Sequence, residues 1–167
     1  MEYIFWILLI CLVDQGTKYA SLWKIAAENG LPAAAAAAGM SFPVIDGVLH
    51  FTYVQNSGMS FGLLKDNRWI FMAVSAAALL GFFVYLVVQK KQPPLQKAAL
   101  TVIIGGGLGN MFDRVLLGYV VDFVDVRCIP YWHWVFNFAD ACVCVGAVLL
   151  AISLILEVKK EKKNSAG

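Results

Sequence analysis

Apolar residues divide the chain into four long hydrophobic windows, which are separated by more polar segments. A helix needs about 20 residues to cross the hydrocarbon core of a membrane, and each window approaches that length. The second window carries no charge, and the fourth begins at Asn137, a residue type suited to cap a helix N-terminus, with Asp140 in its first turn. The pattern predicts four transmembrane helices, at residues 3–23, 69–88, 95–112 and 138–158.

The composition also indicates a membrane protein. Hydrophobic residues make up 60% of the 167 residues and charged residues 14%, whereas soluble domains contain about 45–50% apolar and about 25% charged residues. These proportions exclude a disordered chain, a basic nucleic-acid-binding face and a water-soluble core. Four spans occupy roughly half of the chain, so we expect one integral membrane domain over residues 1–167, in an all-α class with a small additional element.

The first window also has the length of a secretory signal peptide. Its start holds Glu2 and no basic residue, and the polar stretch Asp14–Lys18 follows it instead of a small-residue cleavage site. We therefore interpret the first window as a retained membrane anchor.

Basic residues indicate the orientation in the membrane. The connection at 89–97 holds three lysines and no acid, and the tail after the fourth window holds four more, so seven of the 13 basic residues lie in two short segments. The excess of Lys and Arg marks cytoplasmic loops. Both termini are then expected to be cytoplasmic, and the segments 24–68 and 115–136 extracytoplasmic.

The two extracytoplasmic segments differ in character. The first contains Val44–Val54, which is rich in β-branched and aromatic residues with Asp46-Gly47 as a turn, and this predicts two short strands on the membrane surface. The second is rich in aromatic residues and is typical of an interfacial belt. The alanine run at 33–38 predicts no function.

Cysteine and histidine give no catalytic pattern. The spacing of the four cysteines does not pair them with metal-ligand residues, and the two histidines have no Ser or Cys partner pattern. We expect neither a metal site nor a nucleophilic triad.

Asp14 and Lys18 are charged residues inside the first window, where a charge is costly. Their i, i+4 spacing, with the acid first, favours a helical ion pair. Two interpretations remain open: a self-neutralising pair at the outer end of the span, or an Asp14 that faces the bundle and braces a site.

The third window ends in a group of small and polar residues. Gly105 and Gly109 form a small-xxx-small pair that lets a neighbouring helix approach closely. Asn110, Asp113 and Arg114 follow at i, i+3 and i+4, which places them on one helical face. Either Asp113 and Arg114 form an interfacial ion pair, or this face belongs to a polar site.

Asp122 and Asp140 are the strongest candidates for chemistry. The third and fourth windows run antiparallel, so the end of one and the start of the other share a membrane depth, and their connection can bring the two carboxyl groups together. Two such groups in a poorly solvated place share a proton. One can then activate water while the other protonates a carbonyl, as in aspartic proteases. A proton- or ion-coupled carrier uses the same groups, and a non-catalytic scaffold is a third reading.

Five stretches, at residues 14–18, 56–62, 106–114, 121–123 and 136–140, occur in the order found in one known family. The stretches ending Asn110-Met111-Phe112-Asp113-Arg114 and Asn137-Phe138-Ala139-Asp140 are specific individually, and the five are very specific jointly. The chain resembles the lipoprotein signal peptidases (signal peptidase II), a family of bacterial membrane aspartyl proteases. The resemblance covers essentially the whole chain.

The resemblance implies four transmembrane helices with a small extracytoplasmic β-element and loop. It also implies removal of the signal peptide from a prolipoprotein, just before the lipobox cysteine that carries diacylglyceryl. The catalytic dyad maps onto Asp122 and Asp140. Substrate-binding or orienting positions map onto Asn56, Gly58, Asn110, Arg114, Asn137 and Ala139, and structural polar positions map onto Asp14, Lys18 and Asp113.

Within this site we expect Asn56 and Arg114 to hold the substrate main chain, and Asn110 and Asn137 to orient the two carboxyl groups. The resemblance implies no metal and no organic cofactor. The expected partners are the prolipoprotein and membrane lipid, without nucleic acid, and we expect a monomer. The expected location is the bacterial inner membrane, with the active site near its extracytoplasmic face.

Overall fold

Helices dominate the fold, and a small antiparallel sheet packs against them. The computed structural model describes residues 2–57, 68–131 and 134–165. The elements are α1 (Glu2–Glu28), a 3-10 turn (Ala33–Ala35), β1 (Ser41–Ile45), β2 (Leu49–Asn56), α2 (Arg68–Val88), α3 (Pro94–Leu116), β3 (Val120–Val126), β4 (Val135–Phe136) and α4 (Phe138–Ser165). The expectation of a mostly helical chain with a small β-element is confirmed.

Each predicted window lies within one helix, but three helices continue well beyond their windows. The C-terminal ends lie at Glu28 for α1, Leu116 for α3 and Ser165 for α4. The extension of α4 consists of polar residues, whereas those of α1 and α3 also contain apolar ones. In α1 the Lys24 ammonium lies 2.5 Å from the Glu28 carboxylate, one turn away. Such i, i+4 pairs support helix outside a membrane. Apolar windows therefore indicate where a helix can meet lipid, and they do not mark its ends.

Two of the described helices are apolar enough to cross a membrane by length and composition alone. They are Trp69–Val88 and Phe138–Ser165, which contain 18-residue windows with mean hydropathies of 2.4 and 2.6 respectively. Only 11% of the residues in each window are buried inside the chain, so most of these apolar residues keep surface that faces outward, as suits a helix surrounded by hydrocarbon. In contrast, α1 and α3 bury polar side chains, among them Asp14 and Asn110.

The sheet has the strand order β1-β2-β3-β4, with antiparallel pairing throughout. The first two strands are the predicted hairpin, and its turn contains Gly47 at a φ of 68°, which glycine adopts without strain. The third strand pairs along the second, with Asp122 opposite Val54 and Val120 opposite Asn56. The segment 115–136, expected as an aromatic belt, thus contributes two strands that the sequence analysis missed.

A small apolar core fixes the sheet to the end of α1. It consists of Ile25 from α1, Tyr53 from β2 and Val121 from β3, all of them buried. The rings of Phe51 and Phe123 add an edge-to-face contact between β2 and β3, with centroids 5.4 Å apart. The sheet therefore holds the start of β3 close to the helices.

Helix α3 contacts the other three helices, and its glycines allow the approach. A methyl group added to Gly105 would lie 2.8 Å from Cβ of Ile10, and one added to Gly109 would lie 2.5 Å from Oδ2 of Asp14. Both residues face α1. The predicted role of the small-xxx-small pair in close helix packing is confirmed.

Candidate active site

Four elements meet at one end of the helices: the end of β2, the last turns of α3, the start of β3 and the first turn of α4. They carry Asn56, Asn110, Asp122 and Asp140 respectively. A short turn leads from α3 into β3, and β4 pairs with β3 immediately before α4 begins. This chain path brings Asp122 and Asp140 to a shared partner, Asn137.

Asn137 connects the two carboxyl groups and is fully buried. Its Nδ2 donates to Oδ1 of Asp122 at 2.6 Å and to Oδ1 of Asn110 at 3.0 Å. Its Oδ1 accepts from the N–H of Asp140 at 2.9 Å, while its own N–H donates to Oδ2 of Asp140 at 3.1 Å. This reciprocal pair is a capping box at the start of α4. The prediction that Asn137 caps this helix is confirmed.

The carboxyl group of Asp122 is almost completely buried, with 1% of the residue exposed. Its Oδ1 accepts from Asn137, and its Oδ2 accepts from Nδ2 of Asn56 at 2.9 Å. Burial raises the pKa of Asp122 to about 7, and the nearby charge of Asp140 contributes in the same direction, against the two amide donors. Asp122 lies on β3, outside the helices, and can keep a proton near neutral pH.

Asp140 is the more accessible member of the pair. Its Oδ1 accepts from Nδ2 of Asn110 at 2.8 Å, and its Oδ2 accepts from the main chain of Asn137. Each of the four carboxyl oxygens of Asp122 and Asp140 therefore accepts a hydrogen bond from an amide. Amides position a carboxyl group in either protonation state, because they carry no charge of their own.

A buried ionic network lies directly behind Asn110. The Lys18 ammonium contacts Asp14 at 2.7 Å, Asp113 at 2.9 Å and Oδ1 of Asn110 at 3.0 Å. The other oxygen of Asp14 accepts from the N–H of Ala139 at 2.9 Å. Both interpretations of Asp14 and Lys18 thus hold: they form the predicted i, i+4 pair, and the pair braces the start of α4.

Gln15 belongs to the same network, and the sequence analysis assigned it no role. Its Nε2 donates to Oδ1 of Asp113 at 2.8 Å and to the carbonyl of Gly109 at 3.2 Å. The other oxygen of Asp113 accepts from the N–H of Val121 at 3.0 Å, which ties α3 to β3. The feature of the sequence that points to a role for Gln15 is its position next to Asp14, inside a polar stretch of an apolar helix.

Arg114 points away from its sequence neighbour Asp113. Its guanidinium lies over the ring of Phe71 in α2, 4.9 Å from the centroid, and Nη1 donates to the carbonyl of Asn110 at 3.3 Å. Asp113 instead pairs with Lys18. The structure therefore favours the polar-site reading of this helical face over an interfacial ion pair between Asp113 and Arg114.

An apolar cleft of about 360 Å³ opens beside the carboxyl pair, between α2, α3 and α4. Its walls include Leu79, Phe82 and Ile103, and Asn110, Arg114 and Asp140 also line it. Asp140 is thus reached from an apolar space, whereas Asp122 lies behind it among amides. This geometry admits an apolar chain to the Asp140 side of the carboxyl pair.

Asn56 and Ala139, two of the expected substrate-binding or orienting positions, also make contacts at this site. Asn56 donates to Asp122, so in this structure it orients a carboxyl group and does not face an open site alone. Ala139 is fully buried and contacts Asp14 through its main chain. Gly58 lies outside the described residues.

Within the described ranges 2–57, 68–131 and 134–165, no group of three or more His, Cys, Asp or Glu side chains could hold a metal ion. Cys11, Cys128, Cys142 and Cys144 are free thiols. The donors that surround the carboxyl pair are amides, which suit proton chemistry on a carboxyl group.

Comparison with known proteins identifies relatives along nearly the whole chain. The lipoprotein signal peptidase of Clostridioides difficile is 39% identical over 162 residues, which cover 97% of this chain and 100% of that protein. The lipoprotein signal peptidase of Halalkalibacterium halodurans is 34% identical over 164 residues, covering 98% of each chain. The lipoprotein signal peptidase of Bacillus subtilis is 35% identical over 164 residues, covering 98% of this chain and 99% of the other.

Solved structures show the same fold. A bacterial membrane enzyme solved by the in meso method at 2.3 Å resolution has a TM-score of 0.78 at 28% identity, covering 95% of this chain and 90% of that chain. A second structure of the same description, at 1.9 Å resolution, has a TM-score of 0.76 at 29% identity and covers 92% of each chain. The family model of signal peptidase (SPase) II matches residues 6–156. The chain therefore belongs to the signal peptidase II family, whose members are bacterial membrane aspartic proteases that process lipoproteins.

Proposed function

We propose that this chain cuts diacylglyceryl-modified prolipoproteins just before the lipidated cysteine, by water attack assisted by Asp122 and Asp140. One observation carries the proposal: Asn137 joins the two carboxyl groups into a single hydrogen-bonded unit beside an apolar cleft. An aspartic protease needs two carboxyl groups in one unit, because one must be ionised while the other keeps its proton.

The surroundings of the two carboxyl groups favour a division of roles. The raised pKa of Asp122, about 7, makes it the member that holds the proton in the resting enzyme. Asp140 lines the cleft and acts as the general base on a water there. The water oxygen bonds to the scissile carbonyl carbon as Asp140 takes a proton and Asp122 protonates the carbonyl oxygen. The resulting diol collapses as Asp122 takes back the proton of one hydroxyl group, the C–N bond breaks, and Asp140 gives its proton to the leaving nitrogen.

The cleft suits a substrate that enters from the bilayer. Its apolar walls match a signal-peptide segment, while the lipid chains of the substrate remain in hydrocarbon. Arg114 lies at the cleft, and its guanidinium offers several donors to main-chain carbonyls of the substrate. Asn110 and Asn137 orient the carboxyl groups. Asn56 shares this task in the free enzyme, and it contacts the substrate main chain when the substrate is bound.

The remaining residues support this arrangement. Lys18, Asp14 and Asp113 fix α1 and α3 to each other and, through Ala139, to the start of α4. We propose four transmembrane helices in the inner membrane, both termini in the cytoplasm, and the carboxyl pair near the extracytoplasmic face. The protein works as a monomer, because every group invoked in the mechanism belongs to one chain.

The proposal is tested with the purified full chain and a diacylglyceryl-modified prolipoprotein, with cleavage read as a gel shift. Asp122→Asn and Asp140→Asn each remove one carboxyl group and keep its size. General acid–base groups contribute about a hundredfold to ten-thousandfold in rate, so each variant is expected to lose at least about a hundredfold in cleavage.

Asp125→Asn is the matched control for this experiment. Asp125 also lies on β3, but it bonds to Thr52 and Arg127, away from the carboxyl pair. It is expected to cleave as the wild type does, and the melting temperatures of the inactive variants show whether they fold. Substantial turnover by folded Asp122→Asn or Asp140→Asn contradicts the proposed dyad. Solute flux that depends on Asp122, without peptidase activity, points to a carrier instead.

A further inference from the structure

A large groove opens at the end of the helices that lies opposite to the carboxyl pair. It has a volume of about 820 Å³ and lies between α1, α2 and α3. Trp6 and Ile10 of α1, Leu86 of α2 and Val102 of α3 provide apolar lining. None of these residues takes part in the proposed mechanism, so the groove has no assigned role.

The charged residues of the same groove lie near the helix ends. Lys90 lies two residues after the end of α2, Lys97 lies in the first turn of α3, and both are exposed. Ile10 lies eight residues further along α1 than Glu2, which corresponds to a depth of about 12 Å at the rise of a helix. The groove thus has a charged mouth and an apolar interior. This distribution of charge matches a lipid molecule, which has a charged headgroup and apolar acyl chains.

We propose that this groove binds one anionic phospholipid of the membrane, with the phosphate between Lys90 and Lys97 and an acyl chain along Trp6 and Ile10. Basic pockets between transmembrane helices on the cytoplasmic side recognise phosphate headgroups in this way. Two ammonium groups surround the mouth with three donors each, and a phosphodiester supplies acceptors only. The acyl chain replaces water along an interior whose walls are mostly apolar.

Glu2 narrows the choice of headgroup. Its carboxylate also lines the groove, opposite in charge to the two lysines, and it accepts hydrogen bonds only. The hydroxyl groups of a phosphatidylglycerol headgroup can donate to Glu2 while its phosphate meets the lysines. Phosphatidylcholine has no donor for Glu2 and brings a bulky quaternary ammonium to a mouth with a net positive charge. The binding preference therefore runs towards phosphatidylglycerol.

Native mass spectrometry tests the proposal on the purified full chain in mild detergent. The chain is incubated with equal amounts of phosphatidylglycerol and phosphatidylcholine whose masses differ, and the retained lipids are counted. We expect one phosphatidylglycerol per chain, preferred at least about tenfold, since each lysine near an anionic headgroup contributes several-fold to binding. Lys90→Gln/Lys97→Gln is expected to bring the ratio close to one.

Lys160→Gln/Lys162→Gln is the charge-matched control, because these lysines lie in the last turns of α4 and do not line the groove. It is expected to keep the preference. Ala98→Trp fills the groove from an exposed position and is expected to lower retention of both lipids, whereas Ala77→Trp on the exposed face of α2 is not.

Three results overturn the proposal. The first is equal retention of the two lipids by the wild type. The second is equal loss of preference in the two double-lysine variants, which means that charge acts at the whole surface and not in the groove. The third is a lipid-free dimer, which means that a second copy of the chain fills this space. Cleavage activity is measured in parallel, and its loss through the dyad variants has no bearing on lipid retention.

Discussion

Asn137 uses every polar atom of its side chain within the site. Its Nδ2 donates to Asp122 and Asn110, and its Oδ1 receives the N–H of Asp140. A buried amide with all of its bonds made stabilises one arrangement strongly, because any other arrangement leaves polar atoms unpaired. The two carboxyl groups are thus held together by one residue as much as by the fold around them.

Replacing Asn137 separates its two tasks. Asn137→Ser keeps a side-chain oxygen that can cap α4 but removes the donor to Asp122, whereas Asn137→Ala removes both. Loss of an N-cap lowers the stability of a protein by about 1 kcal/mol. The Asn137→Ala variant is therefore expected to melt at a lower temperature than Asn137→Ser. Both variants are expected to lose at least about tenfold in cleavage, because the carboxyl groups lose their common partner.

Asn29→Ala is the control for these variants, since the side chain of Asn29 donates to the Ile25 carbonyl at the end of α1, away from the carboxyl pair. Cleavage by Asn29→Ala is expected to equal that of the wild type. If Asn137→Ser kept full activity, the bridge between the carboxyl groups would not matter to catalysis.

The opposite pKa shifts of two aspartates on β3 predict opposite effects on stability. The pKa of Asp122 is raised by burial to about 7. Burial also raises the pKa of Asp125, but hydrogen bonds from Thr52 and Arg127 outweigh it and hold the pKa below its ordinary value. A carboxyl group with a raised pKa binds more protons in the folded state. Its contribution to stability is complete below about pH 4 and is lost as the pH rises towards 7.

The effect of pH on the melting temperature therefore has opposite signs in Asp122→Asn and Asp125→Asn. Between about pH 4 and about pH 8, the melting temperature of Asp122→Asn is expected to rise relative to that of the wild type, because only the wild type acquires a buried charge over this range. Asp125 contributes stability above its unfolded pKa, so Asp125→Asn is expected to melt slightly lower than the wild type at about pH 8. Melting temperatures across this pH range check both signs. A melting temperature of Asp122→Asn that falls relative to the wild type as the pH rises contradicts the raised pKa.

At the scale of elements, α3 and α4 approach closely because α3 has a glycine where they cross. A methyl group on Gly106 would lie 2.6 Å from the Ala139 carbonyl and 2.9 Å from Cβ of Cys142. One of these atoms belongs to the main chain, so α4 itself would have to move. The first turn of α4 carries Asp140, and the packing of the two helices therefore sets the geometry of the site.

Gly106→Ala is expected to reduce cleavage at least about tenfold, since a displacement of about 1 Å at a catalytic group has effects of that size or larger. Its melting temperature is expected to fall as well. Gly81→Ala in α2 is the matched control, because its added methyl meets nothing within 4 Å. That variant is expected to be fully active and more stable, by up to about 1 kcal/mol. Equal behaviour of the two variants contradicts the tight crossing.

The sequence predicts the local elements well and the distant pairings poorly. The hairpin of β1 and β2 was predicted because its strands and its turn at Asp46-Gly47 are contiguous. The run Val120–Val126 is rich in β-branched residues, but its partner is β2, far earlier in the chain. Periodicity does not reveal such a pairing. For the same reason the contact of Asn56 with Asp122 was missed, since the register between β2 and β3 creates it.

At the scale of the whole molecule, two kinds of polar group lie at opposite ends of the helices. The buried network of Lys18 and the amide-held carboxyl pair lie at one end, and the lysines that follow α2 and end α4 lie at the other. Between them, the outward surfaces of α2 and α4 are apolar. The lysine-rich end is the one that the positive-inside rule assigns to the cytoplasm, and this charge distribution supports the proposed orientation.

Thiol labelling in spheroplasts tests that orientation directly. Cys128 is free and exposed just after β3, on the side proposed to be extracytoplasmic. A membrane-impermeant maleimide added outside is expected to label the wild type, and Cys128→Ser is expected to abolish this labelling. In the Cys128→Ser background, Lys162→Cys places a thiol in the last turns of α4, and it is expected to react only after the membrane is permeabilised. If Lys162→Cys is labelled from outside and Cys128 of the wild type is not, the chain is inserted in the opposite direction.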